Sequence, residues 1–309
     1  MQTVLSVREL EKTFKNKKVL HGISFDIHKG EIIALLGPNG AGKSTTIRSI
    51  MEILYPDSGS IQFFFEQSEK IQRNKIGYLP EERGLYKNVK VLDMLLYLAE
   101  LKDYPMMDAK KRITYYLEKF DLKGKENATI ETLSKGMAQK VQFIGTIIHE
   151  PELLILDEPF SGLDPVSQEL LKKEIRVLAN QGTAIIVSSH QMNLVEEMCD
   201  QILLIHQGKQ MIYGTLEEVK LAHANTKCMI YGKNNQEIWS EIQGVENIEQ
   251  EGNRTILHIQ HGINITEWIR SLPKQLHIIE INVERISLHE IFVAIATETY
   301  EEQESVFYE

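Results

Sequence analysis

Residues 37–45 combine closely spaced glycines with a lysine and two hydroxyl side chains: Gly37-Pro38-Asn39-Gly40-Ala41-Gly42-Lys43-Ser44-Thr45. Glycines let a loop curl until successive backbone N–H groups point inward, a geometry that binds phosphate oxygens. At this spacing Lys43 is expected to reach the β- and γ-phosphates, and the Ser44 hydroxyl to ligate Mg²⁺. The segment predicts a nucleoside triphosphate site, against the alternative of a glycine-rich turn with an incidental lysine.

Two adjacent acids, Asp157 and Glu158, follow the apolar run at 153–156. Such a run predicts a buried parallel strand whose carboxylates emerge at the C-terminal edge of the sheet, where α/β folds place their ligands. Asp157 is expected to hold Mg²⁺, directly or through water, and Glu158 to orient and deprotonate an attacking water. Unpaired acids at the end of a core strand are unfavourable, so a purely structural role is disfavoured.

His190 and Ser134 give less specific signals. His190 follows an apolar strand at 184–189, so a phosphate contact competes with an ordinary surface or core position. Ser134 is suited to cap a helix that runs to Ile148. A capped helix with small residues at its start can also hold an anion, so Ser134 is a candidate for a second phosphate contact.

The elements that position these residues alternate between strands and helices. The apolar run at 32–36 predicts a buried strand before the glycine-rich loop, and 45–50 predicts a helix after it, whose N-terminus faces the phosphates. Further strands are expected at 61–65 and 75–79, and helices between residues 91 and 120.

Phe14 lies in the entry segment, where 4–10 and 19–27 alternate like antiparallel strands around a lysine-bearing turn. An aromatic residue here could stack on a nucleobase. A strand aromatic is more often part of the core, however, and the pattern alone favours the core for Phe14.

The composition limits the class of protein. At 309 residues two domains are expected, and the net charge of −10 argues against a nucleic-acid partner, because phosphate contacts need clustered lysines and arginines. Neither a signal pattern nor an apolar run of about 18 residues is present, so a membrane role would need a partner.

From about Leu221 the composition changes. Strands at 227–231, 245–251, 254–260 and 276–286 and helices at 236–242 and 265–272 predict a β-α-β-β-α-β order, as in ferredoxin-like domains. Ser287 and Glu290 form a capping box for a last helix. We expect an accessory α+β domain at 221–300 and an acidic tail at 301–309.

Five motifs in sequence order resemble the nucleotide-binding domain of ABC transporters, over about two-thirds of the chain. They are the glycine-rich loop and the segments 133–136, 153–159, 161–164 and 189–190. The resemblance implies an α/β P-loop NTPase fold over 1–220, with a mixed sheet core, an antiparallel β subdomain and a helical subdomain at 84–150.

The resemblance also implies roles for individual residues. Phe14 takes the adenine-stacking position, and Glu81 falls where the family usually has a glutamine that touches Mg²⁺. Ser134, Gly136 and Met137 belong to the signature loop, which contacts ATP bound by the opposite protomer. The implied nucleotide-binding set is Phe14, Gly37, Pro38, Asn39, Gly40, Ala41, Gly42, Lys43, Ser44, Thr45, Thr46, Ser134, Gly136, Met137, Asp164 and His190. Catalysis is assigned to Glu158, His190 and Lys43, and Mg²⁺ to Ser44, Glu81 and Asp157.

Residues 76–86 and the segment 287–292 resemble the branch that contains sodium-efflux and drug-resistance exporter ATPases, which has a C-terminal extension. This implies an ATP-hydrolysing subunit that uses ATP and Mg²⁺, pairs as a homodimer or heterodimer of cassettes, and serves an integral-membrane permease on a separate chain. Its place would be cytoplasmic, peripheral on the inner face of the cell membrane. The alternative is a soluble ABC-type ATPase or an ATP-binding regulatory module that is not coupled to transport. Lys135, Met137 and Glu81 depart from the residues usual in the family.

Overall fold

The computed structural model describes residues 2–65, 72–82, 84–222, 226–232, 236–239, 242–260, 262–285 and 287–293. The chain divides into two compact units, Met1–Leu216 and Glu217–Glu309. The acidic tail expected at 301–309 lies outside the described residues. Within the described ranges, no helix is long and apolar enough to cross a membrane.

The first unit alternates strands and helices in the order that the apolar periodicity predicts. Its described strands are β1 (Thr3–Phe14), β2 (Lys17–His28), β3 (Ile32–Leu36), β4 (Ser58–Phe63), β5 (Ile76–Leu79), β6 (Leu153–Asp157), β7 (Ala184–Ser188), β8 (Gln201–His206) and β9 (Lys209–Thr215). Its described helices are α1 (Lys43–Ile50), α2 (Val91–Glu100), α3 (Met106–Lys119), α4 (Lys135–Ile147), α5 (Pro165–Asn180) and α6 (Met192–Met198).

The central sheet has the strand order β5-β6-β7-β3-β8-β9. Neighbouring strands are parallel except for β8 and β9, which form an antiparallel hairpin. Strands β3, β6 and β7 are buried along their whole length, which explains their unbroken apolar sequences. Because the parallel strands run in one direction, the segments that follow them meet at the same edge of the sheet.

A second sheet, in the order β2-β1-β4, is antiparallel and packs on the central sheet. One apolar cluster contains Phe25 from β2, Ile47 from α1 and Ile186 from β7. This shared core fixes α1 between the two sheets. The mixed sheet and the antiparallel sheet agree with the predicted fold class.

Helices α2, α3 and α4 form the helical part of the first unit. The rings of Phe120 and Phe143 meet edge to face with centroids 5.7 Å apart. The apolar periodicity predicts one buried face with Ile113, Tyr116, Leu117 and Phe120, and all four are buried. It predicts another with Leu92, Leu95, Leu96 and Ala99, of which Leu95 and Ala99 are buried and Leu92 and Leu96 are half-buried. Lys119 of α3 pairs with Glu174, a buried residue of α5, so an ion pair connects the helices to the rest of the unit.

The second unit has the predicted β-α-β-β-α-β order. Helix α7 (Leu216–Ala222) spans the boundary between the units and precedes that order. The elements of the order are β10 (Thr226–Tyr231), α8 (Gln236–Trp239), β11 (Val245–Glu251), β12 (Arg254–Ile259), α9 (Ile265–Ser271) and β13 (Glu280–Arg285). The sheet order β11-β12-β10-β13, antiparallel throughout, is that of a ferredoxin-like domain, which confirms the expectation.

The predicted capping box closes the described part of the second unit. Glu290 Oε2 accepts a hydrogen bond from the Ser287 N–H at 2.9 Å, and the Glu290 N–H donates to Ser287 Oγ at 3.3 Å. Residues 288–293 are helical. The core of this unit contains Trp239, Leu257 and Trp268.

Candidate nucleotide site

The glycine-rich loop joins β3 to α1 at the carboxyl edge of the central sheet. Helix α1 begins at Lys43, earlier than predicted, because Gly42 takes a left-handed conformation with φ of 115° and serves as its N-cap. Gly37 approaches the backbone of β8 so closely that an added Cβ would lie 2.1 Å from the Ile205 carbonyl oxygen. Only glycine fits there.

Lys43 is buried at the base of this loop, with 7% of its surface exposed. Its Nζ donates to the carbonyl oxygens of Gly37 at 2.7 Å and Pro38 at 3.2 Å, so the side chain curls back under the loop. Burial lowers the pKa of Lys43, and the carboxylates of Glu158, Asp157 and Glu81 oppose that shift. The ammonium therefore senses acidic groups at the ends of β5 and β6 as well as the loop.

An open cavity of about 680 Å³ lies between the loop and those acids. Its lining residues are Phe14, Val19, Asn39, Gly40, Gly42, Lys43, Ser44, Thr45, Glu81, Asp157, Glu158 and His190. The structure thus brings together predicted phosphate, metal and catalytic residues from four separate segments, with Phe14 from a fifth. A volume of this size is within the range of small-molecule sites.

Four other residues of the predicted loop set are not part of the lining. Thr46 is fully buried and its Oγ1 donates to the Gly42 carbonyl oxygen at 3.0 Å, so it stabilises the first turn of α1. Ala41 is buried in the core between the sheets. Gly37 and Pro38 supply the carbonyl oxygens that hold Lys43.

Asp157 ends β6 at the cavity, Glu158 follows it, and Ser188 from the neighbouring β7 contacts both. The Ser188 hydroxyl donates to Asp157 Oδ1, and the Glu158 N–H lies 3.1 Å from Ser188 Oγ. Glu158 has φ of 50°, a left-handed conformation that is uncommon for a residue other than glycine. The chain therefore turns sharply as soon as β6 ends.

The Glu158 carboxylate is largely shielded from water, with 12% of its side chain exposed, and one oxygen lies 2.9 Å from His190 Nδ1. Burial raises the pKa of Glu158, while His190 and Lys43 oppose the rise. Two of the three predicted catalytic residues, Glu158 and His190, are therefore in direct contact. An acid held in this way favours proton uptake more than an exposed glutamate does.

Replacement of Glu158 by glutamine should stabilise the chain near neutral pH. Since the folded-state pKa of Glu158 is raised, the fold binds this proton more tightly than the unfolded chain, and stability falls as pH rises through the folded pKa. Thermal unfolding at about pH 7 should show a higher Tm for Glu158→Gln, by about 2–4 °C for each kcal/mol gained. The difference should disappear below about pH 4.5, where both states of the wild type carry the proton.

The matched control is Glu152→Gln, because Glu152 pairs with Lys75 at 2.8 Å near the other end of β6. That variant loses an ion pair and should gain no stability. If Glu158→Gln has a lower Tm than the wild type at neutral pH, the buried charge of Glu158 does not destabilise the fold as assigned.

The pattern-based expectation that Phe14 belongs to the core is wrong. The side chain is 41% exposed and lines the cavity beyond the glycine-rich loop. Phe14 is the last residue of β1, so its ring lies at the end of the sheet, where strand alternation no longer decides burial. Among the described residues that line the cavity it is the sole aromatic, which fits a base-stacking position.

The signature-loop residues lie outside this cavity. Ser134 caps α4, with its Oγ accepting from the Met137 N–H at 3.2 Å, which confirms the predicted cap. Ser134 is exposed, and Gly136 and Met137 are half-buried. Asp164 caps α5 by accepting from the Ser167 N–H at 2.9 Å. In one chain, therefore, these four residues do not reach the pocket formed around Lys43.

Ser44, Asp157 and Glu81 provide hydroxyl and carboxylate oxygens at the cavity wall, the donor types that Mg²⁺ prefers. No group of three histidines, cysteines or acids that could hold a metal is found within the described ranges. A few protein oxygens completed by substrate phosphates and water are typical of Mg²⁺, so the residues fit this ion.

Sequence reasoning missed two residues of the site, Val19 and Ser188. Val19 lines the cavity from β2. Ser188 hydrogen bonds to the acids of β6 from the adjacent strand, and its polar side chain at the end of a buried apolar strand was the available signal.

Comparison with protein families gives two matches. Residues 20–161 match the family model described as ABC transporter. Residues 214–296 match the model described as the C-terminal domain of DrrA1-3-like ATP-binding proteins. The two matches fall largely on the two compact units.

Curated relatives match most of the chain. It is 39% identical to an uncharacterized ABC transporter ATP-binding protein of Bacillus subtilis, YhaQ, over 96% of this chain and 100% of the relative. A linearmycin resistance ATP-binding protein of Bacillus subtilis is 36% identical and covers 69% of each chain. A Nod factor export ATP-binding protein of Rhizobium sp. is 31% identical over 81% of this chain and 84% of the relative.

Among solved structures, an ATP-binding subunit of an ABC transporter superposes with a TM-score of 0.66 at 31% identity. It covers 70% of this chain and 92% of that structure. The nucleotide-free cassette of another ABC transporter, at 22% identity and a TM-score of 0.62, shares the fold.

Proposed function

This chain belongs to the ATP-binding proteins of ABC transporters, and we propose that it hydrolyses ATP to power an exporter through a separate integral-membrane subunit. The observation that carries the proposal is the cavity lined by Lys43, Ser44, Asp157, Glu158 and His190. Phosphate binding alone would not need a shielded carboxylate opposite the phosphate loop. The arrangement supports attack of water on a bound triphosphate.

Within this proposal the residues divide the work. The loop amides and Lys43 bind the β- and γ-phosphates, and Phe14 stacks on the adenine. Ser44, Asp157 and Glu81 would hold Mg²⁺, which supplies positive charge to the transferred phosphoryl group when bound. Glu158 orients the attacking water and accepts its proton.

His190 has two consequences for Glu158. Its contact with the carboxylate fixes the side chain in the cavity, and its effect on the pKa of Glu158 favours the deprotonated form that can accept a proton. The histidine is also exposed toward the cavity, where it can contact a γ-phosphate. We assign it both roles.

The signature residues Ser134, Gly136 and Met137 act on the nucleotide of a second cassette. They do not line the cavity of their own chain, and Ser134 is exposed at the N-terminus of α4. A helix N-terminus with a free face favours an anionic group. The proposal therefore requires a dimer of cassettes, identical or different, with Asp164 near the shared interface.

The exporter part of the proposal rests on the relatives named for linearmycin resistance and Nod factor export. Such an assembly places this chain in the cytoplasm, on the inner face of the cell membrane, beside its permease. Sodium ions, drugs or peptides are the cargo classes that we propose.

Phosphate release by the purified full chain, with ATP and Mg²⁺, tests the proposal. We expect magnesium-dependent release whose specific rate rises with protein concentration, because two copies complete each site. Ser134→Arg should abolish that rise, because the larger arginine side chain would keep the N-terminus of α4 away from the nucleotide of the second cassette. The measurement is a phosphate assay across a concentration series.

Lys140→Arg is the matched control for the Ser134 variant, because it adds the same guanidinium farther along α4. It should retain the concentration dependence. A full rate in a chain that stays monomeric would contradict the shared site, and the absence of phosphate release with the permease also present would indicate a regulatory module.

A further inference from the structure

Lys12 and Asp57 are joined close to the aromatic end of the cavity. Lys12 Nζ pairs with Asp57 Oδ1 at 2.7 Å and donates to the Tyr55 carbonyl oxygen at 2.6 Å. The Lys12 side chain is 16% exposed and that of Asp57 is 45% exposed, so the pair is shielded from water on the lysine side alone. These two contacts of Lys12 connect the loop that precedes β4 to the end of β1.

Asp57 holds the backbone next to Phe14 as well. Its Oδ2 accepts a hydrogen bond from the Thr13 N–H at 2.6 Å, and its own N–H donates to the Glu11 carbonyl oxygen at 2.9 Å. The hydrogen bonds from Lys12 and Thr13 lower the pKa of Asp57, so the carboxylate stays ionised. Asp57 therefore bonds to the backbone of the residues on either side of Lys12, at Glu11 and Thr13.

The same lysine reaches the Phe14 ring. Lys12 Nζ lies 5.7 Å from the ring centroid, within the distance of a cation–π contact. The ring is nevertheless 41% exposed and lines the cavity. One contact therefore constrains the ring while much of its surface stays available to a ligand.

We propose that Lys12 and Asp57 are positioning residues that hold the Phe14 ring ready to stack on the base of the nucleotide. This inference rests on the proposed function, because it needs a nucleoside triphosphate in the cavity. A ring that is already fixed loses less conformational freedom when a base stacks on it. Neither residue lines the cavity, so each acts through Phe14.

The test compares binding of a non-hydrolysable ATP analogue with binding of inorganic tripolyphosphate, which has no base. Lys12→Met keeps the length of the side chain but removes the cation. We expect affinity for the analogue to fall about 3-fold to 10-fold, as for the loss of one aromatic contact, while tripolyphosphate affinity is unchanged. Calorimetric titration of the full chain measures both.

Two further variants separate positioning from folding. Lys18→Met removes an ion pair of the same 2.7 Å length, to Glu11, on the same hairpin, and should change neither affinity. Lys12→Arg retains the cation and should preserve most of the analogue affinity. If Lys12→Met lowers Tm too far for titration, Asp57→Asn, which keeps the shape of the side chain, replaces it.

The decisive comparison is made in a Phe14→Ala background. If Lys12 acts through the ring, Lys12→Met should have no further effect once the ring is gone. An equal loss with and without Phe14, or an equal loss for tripolyphosphate, would overturn the proposal. Failure of the wild type to bind either ligand would instead contradict the proposed function.

Discussion

Glu158→Gln is expected to lose phosphate release by about 10²-fold to 10⁴-fold while it continues to bind ATP. Glutamine matches glutamate in shape but cannot accept the proton of an attacking water. The proposed phosphate contacts come from the glycine-rich loop and Lys43, and the substitution does not alter those residues. Single-turnover phosphate release and equilibrium binding of ATP measure the two quantities separately.

The bound state of this variant should accumulate as a dimer. We propose that hydrolysis lets two ATP-bound cassettes separate, so loss of hydrolysis should prolong the ATP-bound dimer. Size-exclusion chromatography with ATP and Mg²⁺ detects that species. The control, Glu152→Gln, should release phosphate at the wild-type rate, and undiminished release by Glu158→Gln would remove Glu158 from its assigned role.

Lys43→Ala should weaken triphosphate binding by about 30-fold or more, corresponding to about 2 kcal/mol. The substitution removes the ammonium that would pair with the phosphates, and it also leaves the carbonyl oxygens of Gly37 and Pro38 without their donor. Both effects lower affinity. Fluorescence titration with a labelled ATP analogue measures the change.

Lys29→Ala provides the comparison, because Lys29 lies before the first residue of β3, at the opposite end of that strand from the loop. Its affinity for the analogue should equal that of the wild type. Unchanged affinity in Lys43→Ala would count against the assignment of residues 37–45 as the phosphate site.

The buried strands and the order of the elements could be predicted because apolar runs identify parallel strands directly. Residues 153–157 and 184–188 are buried at every position, as their sequences indicate. The ferredoxin-like order of the second unit followed from alternation and spacing in the same way. Element ends were less well predicted, since β13 begins at Glu280 and not at Leu276.

Phe14 shows why part of the site could not be predicted from pattern alone. Alternation assigns a strand residue to one face or the other, but Phe14 pairs with Lys17 at the end of the hairpin, past the point where β1 also pairs with β4. Asp57, which holds the Phe14 backbone through Thr13, is 45 residues from Lys12. Local patterns do not report pairings over that separation.

Asp164 illustrates a different limit. Its position before Pro165 predicts the turn into α5, and the structure shows that its carboxylate is used in the cap, with Ser167. A sequence cannot distinguish an aspartate that caps a helix from one that contacts a second chain, because the same residue type suits both.

Helices α3 and α4 contact the chain between Gly162 and Glu174, and these contacts have a mechanical consequence. Lys119 of α3 is bonded to buried Glu174, and the stem of Lys135 lies over Gly162, where an added Cβ would come within 2.8 Å of the lysine Cε. Both contacts are made to the segment that follows Glu158 in the chain. Close-packed atoms resist compression, so displacement of the helices is passed along this stretch with little loss. In the proposed ATPase, a push on α3 or α4 would therefore reach the segment that follows Glu158, the residue proposed to activate the attacking water.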